Sequence, residues 1–486
     1  MVWYMRAAAV LVLLAGCSGG GGDESTGTIL TGGMTQTTMT AGTAGSTGEG
    51  TTSTSDGTST TTGGVQPTTA APDSSSTGGC VTGQLGCPCL PLASCADALE
   101  CVDDVCVDVG GGTSSTGEGT SSTGEASSTG MVMVACEDGQ PAPGELCFGP
   151  AMPLGMGAGP VAVAVVDLNK DGHLDIVSAN NTSNNLTVRT GKGTGLFNAL
   201  SAQAGGTGPF ALATPDTNND GAPDLVAANF GSANLSLYQN NGAGMLIVQP
   251  PIAAGGQPRS LAVANVNKDD FDDIFVANFM ANTIGVYIGD GIGYPAPTTI
   301  AVAAGPTWVA VGDINGDGKL DLASANNGAS SISVSLGNGL GGFGPQTASP
   351  VGAAPYGLAL LDVSGDGKLD AVVTVPAQGA LYLMQGNGLG GFGGAIPYPA
   401  GADPLGLAVA DMSGDGELDI VVANRGINMV HVLQGDGAGG FLAPVPFMVG
   451  LTPYSVAVGD FNEDGVPDLV TANNGEPTVS VLVSKP

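Results

Sequence analysis

Asp313-Ile-Asn-Gly-Asp-Gly-Lys-Leu-Asp321 is a nine-residue acidic loop with the pattern D-x-N-x-D-G-x-x-D. Versions of it also begin at Asp167, Asp216, Asn265, Asp362, Asp411 and Asp460. The seven starts are 49, 49, 48, 49, 49 and 49 residues apart. A fixed period near 50 means that one supersecondary unit is stacked or arranged radially.

The sequence around each loop has a constant grammar. An aromatic or apolar residue sits 19 positions before each start: Phe148, Phe197, Leu246, Tyr294, Phe343, Phe392 and Phe441. A Pro follows, then an alternating run such as Ala162-Val-Ala-Val-Val166. Period-two alternation rich in β-branched residues predicts a strand. Runs after the loop, such as Leu225-Val-Ala-Ala-Asn229 and Ser331-Ile-Ser-Val-Ser-Leu336, predict a second and a third strand. A Gly-rich turn such as Gly337-Asn-Gly-Leu-Gly-Gly-Phe343 returns the chain to the next unit. These glycines precede strands and recur with the period, so they are hairpin turns rather than phosphate loops.

Seven units of four short strands predict an all-β, seven-bladed β-propeller. A solenoid is the competing architecture, but it requires capping repeats, and none is visible. The seventh unit ends after its third strand, at Val483-Ser-Lys-Pro486. The residues from Phe148 to Met156 supply the missing fourth strand, so the N-terminal strand is expected to complete the last blade and close the ring.

The remaining sequence predicts export and tethering. Arg6 precedes an apolar run, Ala7 to Leu14, too short to span a bilayer as a helix. It ends in Leu14-Ala15-Gly16-Cys17, which resembles the lipobox of bacterial lipoproteins. That resemblance implies a signal peptide over 1–17, cleavage before Cys17 and lipid on that residue, as the only membrane anchor. An ordinary signal peptide with a chance cysteine is the alternative. Residues 18–79 and 107–135 are tracts of Gly, Ser and Thr that cannot bury a core and read as disordered tethers. Between them, Cys80, Cys87, Cys89, Cys95, Cys101 and Cys106 read as three disulfides of unassigned connectivity, with a metal knuckle as the alternative. The Gly-Cys-Pro-Cys core of this 80–106 module resembles cysteine modules of myxobacterial lipoproteins. Cys136 and Cys147 are expected to pair at the start of the propeller region, 136–486.

The chain has 10 Lys+Arg against 43 Asp+Glu, a formal net charge of -33. Nucleic acid and anionic lipid surfaces are therefore poor partners. Much of the acidity has an assignment in the loops. Positions 1, 3, 5 and 9 offer hard oxygen ligands, Gly at position 6 permits a sharp turn, and position 7 can present its carbonyl. The complete copies are Asp167/Asn169/Asp171/Asp175, Asp216/Asn218/Asp220/Asp224, Asp313/Asn315/Asp317/Asp321, Asp362/Ser364/Asp366/Asp370, Asp411/Ser413/Asp415/Asp419 and Asp460/Asn462/Asp464/Asp468. The third copy departs, with Asn265 at position 1 and Asp270 in place of Gly. A metal-free turn built on Asx side chains is the alternative reading.

The pattern resembles the FG-GAP and VCBS repeats, calcium-loop propeller units also seen in integrin α-subunits. The resemblance covers about 148–486. It implies structural Ca2+ ions, up to six or seven, on one face of the disc. Clustered carboxylates repel without a cation, so calcium is expected to contribute to folding, with affinity at the extracellular end, roughly 10⁻⁴–10⁻³ M or somewhat tighter.

The opposite face is where the repeats stop agreeing. Phe210, Arg259, Trp308, Tyr356 and Tyr454 follow the Pro, and Phe230, Phe279 and Arg425 follow the second strand. Trp308 stands out, because its counterparts are Ala162, Ala211, Ser260, Gly357, Gly406 and Ser455. Exposed aromatics around a pore suit sugar or protein contacts, and packing between blades is the bland alternative. Neither His173, inside an acidic loop, nor His431, on a third strand, has a nucleophile placed beside it by the sequence. The expectation is a non-catalytic, monomeric, lipid-anchored protein at the outer membrane or cell surface that binds an extracellular protein or glycan. A released lectin-like binder and a calcium-dependent polysaccharide lyase or hydrolase are the alternatives.

Overall fold

The structure, a computed structural model, describes residues 145–485 and the backbone of 99–102 and 105–108. The expected signal peptide and lipobox, both tethers, Cys136 and most of the cysteine module lie outside the described residues. Of that module, Leu99–Val102 pairs antiparallel with Val105–Asp108, setting Cys101 opposite Cys106 in register. This hairpin belongs to a separate compact unit.

Residues 145–485 form seven four-stranded antiparallel sheets. The blades' first strands are Pro160–Val166, Pro209–Ala213, Pro258–Ala264, Pro306–Gly312, Leu358–Leu361, Pro404–Ala410 and Pro453–Gly459. Each touches the first strand of the next blade, and the seventh touches the first, so the ring is closed. The fourth strand of blade 7 is Met152–Gly155, paired with Thr478–Leu482. Gly149 N–H donates to the Val483 carbonyl (2.8 Å) and Lys485 N–H to that of Cys147 (2.9 Å). The predicted propeller and its closure by an N-terminal strand are both observed, and the solenoid is excluded.

Radial packing explains the Ala–Val alternation. Near the axis, large side chains on one blade must meet small ones on the next. Ala162 and Ala164 pack with Leu212 and Leu225 of blade 2, while Val163 and Val165 pack with Ala457 and Val470 of blade 7. All seven second strands are fully buried, because neighbouring blades cover both their faces. Burying one Val or Leu stabilises the fold by roughly 1.5–3 kcal/mol. The outer strands are the exposed edges. In blade 2 the outer edge splits into Leu246–Val248 and Ile252–Ala253, because Pro250 and Pro251 cannot donate to the ladder.

Connections that share a face touch one another. Asp216 N–H donates to Asp272 of the next acidic loop (2.9 Å), and Lys268 reaches the Gly318 carbonyl of the loop beyond (3.2 Å). On the other side, the Asn184 side chain accepts from Gly208 N–H (2.7 Å) and that of Asn282 from Gly305 N–H (2.8 Å), tying each turn to the following blade. The disc therefore has a loop face and a turn face.

Candidate functional site

On the loop face, the nine-residue pattern divides into two parts with different partners. The position-9 carboxylates are buried in all seven copies. Asp175 accepts from Leu168 N–H at 3.0 Å and from Gly191 N–H at 2.8 Å, and Asp321 accepts from Ile314 (3.1 Å) and Gly337 (2.7 Å). The third copy keeps the same pair of bonds through Asp273, to Val266 and Gly289, each at 2.9 Å. Each position-9 Asp thus clamps the start of its own loop to the end of the third strand. Burial pushes Asp175, Asp273, Asp321, Asp419 and Asp468 up to about 6, against the opposing effect of these backbone bonds.

The exposed part holds positions 1, 3 and 5. Asp167 accepts from the N–H groups of Asp171 (3.2 Å) and Gly172 (2.9 Å), and the Asn169 oxygen accepts from the same Asp171 N–H (3.2 Å). Asp171 in turn accepts from His173 N–H (2.9 Å) and from the Asn169 amide (2.8 Å). The pattern at position 1 recurs at Asp216, Asp313, Asp362, Asp411 and Asp460. Gly at position 6 has φ between 77° and 91° in all six copies, the left-handed region expected of it. In the third copy Asp270 does not take that conformation, and Asn265 donates to the Asp269 carbonyl instead.

The other expected ligands are also bonded within their own loops. At position 3, the Asn218 and Asn462 oxygens accept from Asp220 N–H and Asp464 N–H, each at 3.2 Å. Their amides donate back to the same two carboxylates, at 2.9 and 2.6 Å. Asn315 accepts from Asp317 N–H at 3.0 Å. At position 5, Asp220, Asp317, Asp366, Asp415 and Asp464 each accept from the N–H two residues on, at distances from 2.8 to 3.0 Å. Asp317 and Asp366 also pair with Lys319 and Lys368, at 3.0 and 2.6 Å. The two serine copies differ. The Ser364 hydroxyl donates to Asp362 at 3.4 Å, whereas the Ser413 hydroxyl is buried without a hydrogen-bond partner.

In each loop the expected carboxylate ligands are engaged by backbone amides, and a carboxylate oxygen that accepts one N–H keeps a lone pair for a cation. Among the described residues, no three or more His, Cys, Asp or Glu side chains form a group that could hold a metal. The charges nearby in each loop act on position 9, that of Asp220 on Asp224, those of Asp313 and Asp317 on Asp321, and that of Asp362 on Asp370. Ser413 N–H also donates to Asp419 at 3.1 Å, and the charges of Asp415 and Asp464 act on Asp419 and Asp468. In each case the position-9 carboxylate is buried and accepts from two framework N–H groups, one on each oxygen. The exposed turn itself presents a pair of carboxylates, joined by an Asn oxygen or by the Ser364 hydroxyl. Such a donor set fits a hard cation. Sequence reading missed the framework role of position 9. Its signal was the residue at position 2, which is buried in six of the seven copies.

On the turn face, the residue after the blade-entry proline is pushed out by a β-bulge in six blades. A bulge re-aims one side chain, and in blades 2 and 7 it brings Phe210 and Tyr454 together. Phe210 of blade 2 meets Tyr454 of blade 7 edge-on, with ring centroids 5.6 Å apart. Tyr356 of blade 5 meets Tyr454 at 6.0 Å, and their hydroxyls are hydrogen-bonded at 2.7 Å. Neither pair comes from adjacent blades, so these contacts cross the axis and close the mouth of the channel. Arg259 of blade 3 lies 3.9 Å from the Phe279 ring centroid, 5.4 Å from that of Phe230 and 5.8 Å from that of Phe210. Arg425 is exposed and paired with Asp403 at 2.6 Å.

Trp308 requires a correction. Expected as an exposed ligand contact, it is 0% exposed. It lies one residue beyond the bulge, where the first strand faces the next blade, and its ring packs 6.5 Å from that of Tyr356. Tyr356 is also buried, while Phe210, Arg259 and Tyr454 are half-buried. Trp308 and Tyr356 are thus the support of the mouth, and the other three form its surface.

Six overlapping stretches, 167–227, 216–276, 265–324, 313–373, 362–422 and 412–471, match the family model described as FG-GAP-like repeat. The chain belongs to the FG-GAP-like repeat family. No curated protein matches it. The FG-GAP-like propeller is similar to the solved structure of BBS1N in complex with ARL6DN, at 17% identity, over 70% of this chain and 97% of that one, with a TM-score of 0.51. It is also similar to a catalytically inactive virginiamycin B lyase from Staphylococcus aureus with quinupristin, at 12% identity, 69% and 99% coverage and a TM-score of 0.49. These likenesses describe the fold.

Proposed function

We propose that this FG-GAP-like propeller is an exported, lipid-anchored recognition module. Its loop face holds calcium for stability, and its turn face binds an extracellular protein or glycan without catalysis. The observation that carries this reading is the divergence at the channel mouth. Six blades share one complete pattern on the loop face, yet the position after the blade-entry proline holds Val161, Phe210, Arg259, Thr307, Tyr356, Leu405 and Tyr454. Of these, Phe210, Arg259 and Tyr454 are half-buried, and aromatics beside Arg have the composition of an interaction surface. BBS1N, solved with ARL6DN, is a protein of this architecture in a protein complex, which supports a protein partner. Cys17 and the two tethers would place the disc away from the membrane.

The two halves of the proposal are tested separately on the full chain. Excess chelator should lower the melting temperature substantially, and an unchanged melt removes calcium from the proposal. Binding to glycan or protein arrays without turnover supports recognition. Loss of polymer viscosity with release of unsaturated sugars would turn the reading to a lyase.

A further inference from the structure

At the channel mouth hydrogen-bond donors are left without partners. The Arg259 guanidinium sits among Phe210, Phe230 and Phe279. Its Nε is buried with no hydrogen-bond partner, and among the described residues no carboxylate pairs with it. This is notable in a chain of net charge -33. The other described arginines are engaged, Arg189 by the Gly155 and Asn198 carbonyls and Arg425 by Asp403. The Tyr356 and Tyr454 hydroxyls share one hydrogen bond, which leaves one O–H proton over. Behind them, the indole N–H of buried Trp308 has no partner. Ring faces stabilise the guanidinium in part, but its planar fork is matched by a carboxylate.

We propose that the mouth binds a carboxylate presented by a protein partner, with Arg259 as its ligand and the three phenylalanines as its walls. This rests on the protein-binding reading above. An acidic sugar polymer fits less well, because the hydroxyls flanking its carboxylate would be desolvated against the three phenylalanine rings. The phenylalanine walls suit the apolar stem of an Asp or Glu side chain or the last residue of a chain.

The test is to pan random short peptides, displayed with free or amidated C-termini, on the full chain in calcium. Enrichment of peptides with Asp, Glu or a free terminus is expected. Changing that carboxylate to its amide, or Arg259→Gln in the propeller, should each weaken binding at least about tenfold. Arg259→Lys should fall between the two, since it keeps the charge but loses the fork. Carboxylate peptides should also shift Trp308 emission, and an unchanged circular dichroism spectrum shows that each variant folds. Peptides that bind equally well without a carboxylate, or equally well to Arg259→Gln, overturn this inference and leave the protein-binding reading standing. Failure to enrich any peptide, with binding only of polygalacturonate fragments, overturns both.

Discussion

The loop face and the turn face are built from the same blades, yet they follow opposite rules. On the loop face each of seven positions 9 is Asp, each is buried, and each makes the same pair of backbone bonds. On the turn face only the polar hinges repeat, such as Asn184, Asn282 and Asn428 with φ of 55°, 55° and 58°. The loop face concentrates negative charge. The turns carry two acids, Asp403 and Glu476, and both are engaged, by Arg425 and by Leu451 N–H with the Thr478 hydroxyl. The difference shows how a repeat protein separates tasks. Symmetry is kept where every blade needs the same clamp, and lost where one asymmetric surface is of use.

The comparison is tested most severely within a single loop. Asp321→Ala removes a buried carboxylate and strands the N–H groups of Ile314 and Gly337. Two unsatisfied buried donors cost about 1–3 kcal/mol each, so a loss of roughly 2–6 kcal/mol in urea unfolding is expected. Asp317→Ala, four residues earlier and exposed, should cost under about 1 kcal/mol in chelator. Equal losses would show that the division between clamp and ligand positions is wrong.

The turn face offers the next largest contrast. Trp308→Ala empties a fully buried site and should cost roughly 3–5 kcal/mol. Arg425→Ala, exposed and held by one surface ion pair, should change stability by about 1 kcal/mol or less. A stable Trp308→Ala protein would mean that the indole is not part of the framework.

That contrast also marks where the sequence could be read and where it could not. Blade number, strand grammar and ring closure followed from the period and from the strand missing after Val483, because stacking forces each unit to repeat its pattern. The Gly at position 6 was readable because few other residues take φ near 80°. The fate of Trp308 was not, since one residue of strand register decides whether a side chain faces the channel or a neighbouring blade. The bulge sets that register, and its only trace in the sequence is the variable residue after the proline. The two roles of the acidic loop were hidden for a similar reason. Asp looks the same in sequence whether backbone amides or a cation claim its oxygens.

The third loop provides a gain-of-function test. It keeps the clamp through Asp273 but lacks both the position-1 carboxylate and the position-6 glycine. Asn265→Asp with Asp270→Gly rebuilds the pattern. If the exposed part of the loop is the cation site, the double variant gains stability only when calcium is present. With calcium at ten times its dissociation constant, one added site contributes about 1.4 kcal/mol. A gain of the same size in chelator would trace it to the turn rather than to the ion.

The smallest expected effect lies at the mouth and appears with pH. Burial holds the Tyr356 phenol well above its usual 10, with further upward contributions from Tyr454. The folded protein therefore keeps that proton where the unfolded chain releases it. The associated stability is complete below about pH 10 and is lost as pH rises through the folded value. Tyr356→Phe removes the hydroxyl bond to Tyr454 and should cost about 0.5–1.5 kcal/mol at neutral pH. Above about pH 10 the parent loses stability that the variant has no proton to lose, so the gap between them narrows. The shift of each melt on chelation should be the same in both proteins, since Tyr356 belongs to the turn face and the oxygens of positions 1, 3 and 5 to the other. A gap that widens with pH would place a charged partner for Tyr356 at the mouth. A chelator shift that differs between the two would couple the faces and end their treatment as separate parts.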